Sequence, residues 1–561
     1  MSASDDPLRG RIAFDGTSTP LKTALFVLVC AAWLVPGLIG HDPWKYDEAV
    51  VFGIVNEILR SGDWINLKLA GEPYFDKAPL FIWVATALAK ALGGVMPLQD
   101  AARLAAGVFM AVTLVLLSAT SIELVAERGI RLSVLLFIGC LGLLIRAHEM
   151  TTDLAGLTGV ALGLYGLALA ARSPRAGGLA LGAGMGLGFL GNGFLPAGML
   201  LALMAVLPAC GAFWRTRSYL ETVAIAIAVA LPLAAIWPVL LGSQTPGHLG
   251  LWLDNAAASR WSDPFTHDGL ELAYFLRILP WYAWPAWPLA AWALWRGRAS
   301  LLDRRALLLP LAAFLTFFVV ASIFGEARDA NGMAMLFALS ILGVAELESL
   351  PRGAASALDW FGMTTFFLFA AIIWMGWIAA LTGRPEAAAA WLAREVPGYH
   401  YRFDFIACAL AALLTLIWLV VVARSLRSTR RALVNWAAGI TMVWVLMMTL
   451  GMPIVDQARS YRGVVARLAA EVGPNAGCIA RQNVGDAQRA LLDYFGGLRT
   501  VREETAASSA CRLLLVQAAP SRAPQVAPGW HEVWRGSRPG DRNELFILYA
   551  KNGATYDFQK R

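Results

Sequence analysis

The chain has 561 residues, of which 58% are hydrophobic and 15% are charged, and its formal net charge is +7. Its mean hydropathy is +0.59. Soluble domains carry about 25% charged residues, so the composition excludes an ordinary soluble protein. The apolar residues are gathered in runs of about 18–24, the length that a helix needs to cross a hydrocarbon core of about 30 Å. The sequence therefore predicts a polytopic α-helical membrane protein.

Residues 1–20 are polar and predict a cytoplasmic tail. The run at 21–40 lacks a small-residue cleavage site before His41, so we interpret it as a retained first span rather than a signal peptide. Arginine clusters lie in short connections between the later runs, and the positive-inside rule places those connections in the cytoplasm. About thirteen spans result, within a transmembrane domain at 21–454. They are 21–40, 101–123, 131–147, 154–171, 177–190, 194–210, 219–241, 272–295, 306–324, 332–349, 361–381, 404–423 and 433–454.

The first outer loop, at 41–100, holds four of the seven lysines, which are Lys45, Lys68, Lys77 and Lys90. Its apolar stretch from Pro79 to Gly94 is short and contains Lys90, so we predict a helix along the outer surface rather than a further span. Lysines on the outer side run against the positive-inside bias. Either they snorkel to headgroups, or they neutralise a phosphate on an anionic ligand.

Residues 455–561 predict a small periplasmic α/β domain, because charge rises and the apolar runs shrink to strand length. Strands are predicted at "CIARQN", "CRLLLVQ", "HEVWRG" and "ELFILYA", and amphipathic helices at "DQARSYRGVVARLAAEV" and "DAQRALLDYF". Cys478 and Cys511 both begin predicted strands. An oxidising compartment would permit a disulfide between them, but the sequence does not decide whether one forms.

Acidic residues gather in the outer loops near the ends of spans. Asp47 and Glu48 follow the first span, and Asp153 follows the third. A single acidic residue at a membrane border is ordinary, but several that converge on one face are informative, because buried carboxylates are costly unless they pair or take part in chemistry. Transfer from an anionic carrier lipid needs a general base and cations that stabilise the leaving phosphate. Asp47 or Asp153 would supply the base, and Lys77 and Arg328 the cations.

The first-loop sequence "YDEAV…EILRSGDWINLKLAGEPYFDKAPLFIW" resembles the signature of the bacterial lipid A aminoarabinose transferase family, which is related to the protein O-mannosyltransferases and has the GT-C fold. The matching motifs are Asp47-Glu48, Ser61-Gly62-Asp63-Trp64 and Tyr74-Phe75-Asp76-Lys77. Later segments are also similar to the family: "GFLGNGFLPAGM", "LWLDNAAASRWSDPFTHDGLELAYFLRILPW" and "MPIVDQARSYRGVVARLA". The resemblance therefore extends over nearly the whole chain.

This resemblance implies an inverting GT-C glycosyltransferase of the bacterial inner membrane, with its active site and C-terminus in the periplasm. The donor would be a polyprenyl-phosphate sugar, the acceptor a lipid or another envelope component, and nucleic acid would play no part. The implied catalytic residues are Asp47, Asp153 and Glu48. The implied substrate-binding residues are Lys77, Tyr74, Asp76, Arg260, His267 and Arg328. Whether a divalent metal is needed stays open; Asp47 and Asp153 would hold one.

Several positions depart from the family pattern. Val50 and Val51 replace an Arg and a Tyr, and Asn192 replaces a Lys. The leading interpretation is transfer of an aminoarabinose-type sugar to a lipid A phosphate. The alternatives are transfer of a hexose or amino-hexose to a protein or polysaccharide, and, from another class, a lipid flippase or transporter. A transporter should show paired inverted repeats and polar residues near mid-membrane, whereas the polar residues gather in the outer loops here.

Overall fold

The computed structural model describes residues 20–125, 129–258, 272–425, 428–473, 477–503, 508, 510–519 and 526–552. The helices are α1 (Pro20–Leu34), α2 (Asp47–Ser61), α3 (Pro79–Leu92), α4 (Leu98–Val125), α5 (Ile130–Ile138), α6 (Asp153–Leu169), α7 (Pro174–Asn192), α8 (Phe194–Cys210), α9 (Arg217–Gln244), α10 (Pro246–Ala258), α11 (Leu272–Tyr282), α12 (Ala286–Gly297), α13 (Arg305–Phe324), α14 (Met333–Val344), α15 (Arg352–Thr382), α16 (Glu386–Glu395), α17 (Phe405–Arg424), α18 (Thr429–Leu446), α19 (Met452–Arg459), α20 (Arg462–Val472) and α21 (Asp486–Gly496). The strands are β1 (Lys68–Leu69), β2 (Glu72–Pro73), β3 (Ile479–Gln482), β4 (Thr500–Arg502), β5 (Leu513–Ala518), β6 (Trp530–Gly536) and β7 (Leu545–Lys551).

Within the described residues, six helical segments are long and apolar enough to cross a membrane, namely Leu98–Val125, Arg217–Gln244, Arg305–Phe324, Arg352–Thr382, Phe405–Arg424 and Thr429–Val472. A seventh results if the pair Ile130–Ile138 and Leu141–His148 is one span. Shorter apolar helices of 10–17 residues include α1, α3, α6 and α8. The chain is a multi-pass membrane protein, as predicted, but the number thirteen and the surface position of α3 stay predictions.

The predicted span 131–147 is not one straight helix. The chain bends by 65° between Ile138 and Leu141. Two neighbours satisfy backbone groups at the break: the Trp436 indole donates to the Gly139 carbonyl at 2.9 Å, and the Leu141 amide donates to the Trp284 carbonyl at 3.1 Å. Non-helical backbone within a membrane must be buried in protein or line a water-filled cavity, and these two contacts bury the break in protein.

The predicted span 272–295 is also divided, because α11 ends at Tyr282 and α12 begins at Ala286. Pro285 lies between them, has no amide hydrogen and disfavours helical backbone in the residue before it. A further boundary lies between the predicted spans 177–190 and 194–210. There α7 and α8 are separated at Gly193, whose φ of +71° suits glycine.

Small residues let α6 and α7 approach closely. A Cβ at Gly159 would meet the backbone of Gly188, and one at Gly166 would meet the backbone of Leu181. The glycine-rich stretch that contains Gly188 lies within α7, so its spacing serves helix packing. This packing brings the N-terminal end of α6 beside the C-terminal end of α7.

The C-terminal sheet has the strand order β4-β3-β5-β7-β6, with β3 parallel to β4 and β5, and β7 antiparallel to β5 and β6. The four predicted strands are present, and the short β4 was missed. The helix predicted from Asp456 is interrupted after Arg459 because Ser460 leaves the helix and donates to Asp42 at 2.6 Å. Cys478 and Cys511 are joined by a disulfide, with their Cα atoms 4.7 Å apart.

The C-terminal domain packs against the first loop at an interface that we call the seam. Its central carboxylate is Glu72 of β2, which accepts from Arg481 at 3.0 and 2.9 Å and pairs with Arg489 at 2.8 Å. A Cβ at Gly53 of α2 would clash with Ala490 of α21, so the two helices are in close contact. The seam thus fastens the hairpin that leads into residues 74–77.

Candidate active site

The first turn of α2 supplies the leading candidate carboxylate. Asp47 and Glu48 occupy this turn, where the helix dipole favours negative charge. Successive residues of an α-helix point about 100° apart, since a turn takes 3.6 residues. The two neighbouring carboxylates therefore face different surroundings.

Asp47 contacts two cations. Its Oδ1 accepts from the Lys77 ammonium at 2.8 Å, and its Oδ2 accepts from Nη2 of Arg328 at 2.7 Å. The same Nη2 lies 3.5 Å from Oδ2 of Asp153. These four residues, which we call the site quartet, come from α2, the segment just before α3, α6 and the segment before α14. The structure therefore brings together four of the nine predicted site residues.

Asp153 begins α6 and is held by polar neighbours. Its Oδ1 accepts from the Asn192 amide at 2.7 Å, and its Oδ2 accepts from the Thr151 hydroxyl at 2.6 Å. The side-chain oxygen of Asn192, Oδ1, in turn accepts from the Thr152 hydroxyl at 3.1 Å. Asn192 ends α7, so the close packing of α6 and α7 sets the position of this carboxylate.

The charges of the quartet determine the protonation of Asp47. Burial alone would raise the pKa of Asp47, but the cations of Lys77 and Arg328 outweigh it and hold this pKa below the usual value. The side chains of Asp47 and Lys77 are 9% and 8% exposed, whereas that of Arg328 is 34% exposed. The site thus contains an ionised carboxylate and a cation that remains accessible to a ligand.

Glu48 takes part in a different network. Its Oε1 accepts from Nε of Arg103 at 2.9 Å, and its Oε2 accepts from the Trp44 backbone amide at 3.1 Å. Arg103 is fully buried and also pairs with Asp100 at 2.9 Å. The structure does not bring Glu48 to the quartet, and these contacts favour a structural role in holding the loop after α1. Its predicted catalytic role stays a prediction.

Two of the other predicted binding residues, Tyr74 and Asp76, lie within the described residues. Tyr74 is buried, and burial raises the pKa of its hydroxyl. Asp76 is exposed, and its Oδ1 lies 3.4 Å from the amide of Asn255 in α10. Arg260 and His267 lie outside the described residues.

Two of the lysines at 41–100 pair with carboxylates away from the quartet. Lys45 lies 3.3 Å from Glu544, and Lys68 lies 3.7 Å from Asp63. Their side chains are 44% and 32% exposed. Of the four lysines in this loop, Lys77 is the buried one, and it belongs to the quartet.

Sequence reasoning missed Arg146, which lies beside the quartet. Its guanidinium pairs with Asp329 at 2.9 Å and with Glu149 at 2.7 Å. Burial outweighs the nearby Arg146 and raises the pKa of Glu149 to about 7. A signal was present, because Arg146 is an arginine at the predicted outer end of the span 131–147, which departs from the positive-inside bias.

Metal ligands do not cluster in the described part of the chain, which contains no group of three or more His, Cys, Asp or Glu residues placed to hold a metal ion. Between Asp47 and Asp153, the two carboxylates predicted to hold any metal, the structure places the guanidinium of Arg328.

No protein-family model matches the chain. Two similar curated proteins are the undecaprenyl phosphate-alpha-4-amino-4-deoxy-L-arabinose arabinosyl transferase of Edwardsiella ictaluri (strain 93-146), 27% identical over 296 residues, and the transferase 1 of the same description from Sodalis glossinidius (strain morsitans), 29% identical over 316 residues. The alignments cover 49% and 54% of this chain, and 50% and 54% of the relatives. The chain thus spans about half the length of the curated relatives it matches.

Solved structures of ArnT from Cupriavidus metallidurans align over much more of the chain. The apo structure covers 94% of this chain and 97% of ArnT, with 18% identity and a TM-score of 0.65. The structure bound to undecaprenyl phosphate covers 95% of this chain and 98% of ArnT, with 16% identity and a TM-score of 0.67. The chain has the fold of ArnT.

The ArnT fold includes both parts of this molecule, because the alignment leaves about a twentieth of the chain uncovered. The polytopic helical fold with a small C-terminal sheet domain is therefore confirmed. The resemblance to the aminoarabinose transferases that the first-loop motifs indicated is confirmed as well.

Proposed function

We propose that this chain is an inverting GT-C glycosyltransferase that moves a sugar from an undecaprenyl-phosphate carrier to an acceptor on the periplasmic side of the bacterial inner membrane. The leading substrate pair is an aminoarabinose-type sugar and a phosphate of lipid A. The observation that carries the proposal is the contact of one carboxylate, Asp47, with the two cations Lys77 and Arg328. The names of the curated relatives and the undecaprenyl phosphate in one ArnT structure support the choice of carrier and sugar.

The cations suit the leaving group. When the acceptor oxygen attacks the anomeric carbon, the bond from that carbon to the phosphate oxygen breaks, and its electron pair leaves with undecaprenyl phosphate. Lys77 and the accessible guanidinium of Arg328 would neutralise the charge that develops on this phosphate. Arginine and lysine donate charge-assisted hydrogen bonds to phosphate oxygens, which are stronger than neutral ones.

The carboxylates suit the other side of the reaction. Sugar transfer passes through a transition state in which the ring gains positive charge, and ionised Asp47 would stabilise that charge. A lipid A phosphate attacks as an anion, so no base is required for it. A hydroxyl acceptor would instead give its proton to Asp47 or to Asp153. The quartet therefore accommodates either acceptor chemistry.

We propose three domains along the chain. A cytoplasmic tail would occupy residues 1–20, the transmembrane catalytic domain residues 21–454, and the periplasmic α/β domain residues 455–561. The first periplasmic loop, at 41–100, would carry Asp47 and Lys77, and Asp153 would lie in the second.

The experiment compares lipid A from a strain that lacks the chain with lipid A from its parent by mass spectrometry. We expect the strain lacking the chain to lose a sugar mass, and wild-type chain supplied from a plasmid to restore it. Asp47→Asn should fail to restore it. Asp359→Asn is the matched control, since Asp359 pairs with Arg431 at 3.1 Å in a separate contact, and it should restore the sugar fully.

Two results would contradict parts of the proposal. Full restoration by Asp47→Asn would refute the assigned carboxylate. Identical lipid A in both strains would refute lipid A as the acceptor. Incubation of the purified chain with a labelled undecaprenyl-phosphate sugar and envelope extract would then identify the protein, polysaccharide or lipid that receives the label.

A further inference from the structure

Arg146 is committed to two carboxylates of the protein. Its Nε donates to Oδ2 of Asp329 at 3.1 Å and its Nη2 lies 2.9 Å from Oδ1, which makes a two-point, side-on pair. Its Nη1 donates to Glu149 at 2.7 Å. A planar guanidinium held at three nitrogens has a fixed orientation, so Arg146 is built into the protein rather than left free for a ligand.

The partner of this pair is the residue that follows Arg328 in the chain. Asp329 begins a short helical turn, Asp329–Gly332, and Arg328 precedes that turn in extended conformation. The Asp329 side chain is 27% exposed and that of Arg146 is 29% exposed. Because Asp329 directly follows Arg328, the pair with Arg146 fixes the backbone that carries the Arg328 side chain.

A second contact holds the same turn from the other side. The Tyr282 hydroxyl donates to the Asp329 carbonyl at 2.6 Å. The Tyr282 ring is buried where two glycines leave room for it: a Cβ at Gly142 would collide with the ring, and one at Gly332 would approach it to 3.1 Å. The turn is thus anchored through both the carboxylate and the carbonyl of Asp329.

Arg328 needs such support because a single nitrogen of its side chain contacts both Asp47 and Asp153. Its Nη2 lies 2.7 Å from Asp47 and 3.5 Å from Asp153. An arginine side chain has many rotamers, and holding one of them costs conformational entropy. A displacement of about 1 Å in a positioned group can lower a rate by about 10²-fold.

We propose that Arg146 is a positioning residue that acts through Asp329 to set the Arg328 guanidinium between Asp47 and Asp153, where it receives the phosphate of the lipid donor. The inference rests on the proposed function, since it assigns the phosphate to Arg328. It adds a residue pair that the motifs of the first loop do not contain.

The test is a double-mutant cycle on the purified full-length chain, with binding of undecaprenyl phosphate as the readout. Arg146→Gln and Asp329→Asn are measured alone and together with Arg328→Gln. We expect Arg328→Gln to weaken binding by about 10–100-fold, the range for a lost hydrogen bond to a charged group. Arg146→Gln and Asp329→Asn should each approach that loss, and neither should weaken binding further once Arg328 is replaced.

The two single variants separate positioning from a direct electrostatic effect. Asp329→Asn breaks the side-on pair but keeps the charge of Arg146, which lies close enough to Asp47 to influence it. A loss with Arg146→Gln that Asp329→Asn does not share would overturn the positioning role. So would a loss of equal size in the Arg328→Gln background.

Arg172→Gln is the control, because it breaks an arginine–carboxylate pair of 2.7 Å with Glu123 and should leave binding unchanged. Thermal unfolding is recorded for each variant, and if Arg146→Gln does not fold, Asp329→Asn carries the same cycle. If the unaltered chain does not bind undecaprenyl phosphate, the proposed function fails and the positioning role with it. If the unaltered chain binds it but the losses are additive, the positioning role alone is wrong.

Discussion

The site quartet and the seam are both ion networks anchored in the first loop, but they differ in how their cations are enclosed. At the seam, Arg481 and Arg489 are 5% and 3% exposed and converge on Glu72. In the quartet, Arg328 is 34% exposed, and its side-chain contacts to the carboxylates of Asp47 and Asp153 both run through Nη2. Enclosed cations with protein partners hold domains together, whereas a partly exposed cation between two carboxylates has donors left for a ligand.

Replacing Asp47 should show the largest functional difference between the quartet and the seam. Asp47→Asn removes the negative charge between Lys77 and Arg328, and we expect turnover to fall by about 10²–10⁴-fold, the contribution typical of a catalytic acid or base. The measurement is the initial rate of sugar transfer by the purified chain. Asp359→Asn is the control, and a rate for Asp47→Asn within a factor of two of wild type would show that the quartet is not the reacting centre.

The substitution Lys77→Gln should lower turnover by about 10²–10³-fold, the range for one lost hydrogen-bond donor to a developing anion. The matched control is Lys68→Gln, because Lys68 lies in the same loop but pairs with Asp63 at 3.7 Å. Both variants are assayed at saturating acceptor over a range of donor concentrations. Equal effects of the two substitutions would mean that positive charge in the loop, rather than the position of Lys77, is what matters.

Glu72→Gln should affect the seam and not the chemistry. It leaves two buried guanidiniums without their shared carboxylate, and we expect the free energy of unfolding to fall by about 1–3 kcal/mol, as measured by urea unfolding in detergent. Arg502→Gln is the control, since Arg502 is 63% exposed and lies 3.9 Å from Glu72, and exposed pairs contribute about 0–1 kcal/mol. If Glu72→Gln greatly weakened binding of the sugar donor and left stability unchanged, the separate roles of seam and quartet would be contradicted.

The remaining prediction concerns the pH dependence of stability. Burial raises the pKa of Glu149 to about 7, above the value of about 4.3 for an exposed glutamate. A raised folded-state pKa contributes stability that is present below about pH 4.3 and is lost as the pH rises through about 7. Glu149→Gln should flatten this part of the stability profile. Thermal unfolding of both proteins from pH 5 to pH 8 tests it, and parallel profiles would contradict it.

The site was only partly predictable from the sequence. Asp47, Lys77 and Asp153 could be selected because several charged residues near the ends of spans indicate either ion pairing or a functional role. Glu48 could not be told apart from Asp47, because the direction of each side chain depends on the rotation of α2 and on the buried position of Arg103. Arg146 was overlooked because its role depends on Asp329, which lies far away in the sequence.

The fold was predictable where local pattern dominates. Long apolar runs determined the helical membrane architecture, and short apolar runs determined most of the C-terminal sheet. Breaks in helices were harder: Pro285 is visible in the sequence, but the bend after Ile138 depends on Trp436 and Trp284, which satisfy its backbone from other segments. Residue periodicity contains no information about such distant partners.

By itself, the sequence determined that this protein crosses a membrane several times, that it carries a small α/β domain at its C-terminal end, and that its unusual charges gather in two loops that it predicts to face outward. These properties follow from hydrophobicity, which acts residue by residue along the chain. Tertiary structure alone decided which charges meet. Asp47, Lys77, Asp153 and Arg328 come together because helix packing brings distant segments within hydrogen-bonding distance, and electrostatic energy depends on separation in space rather than on position in the chain.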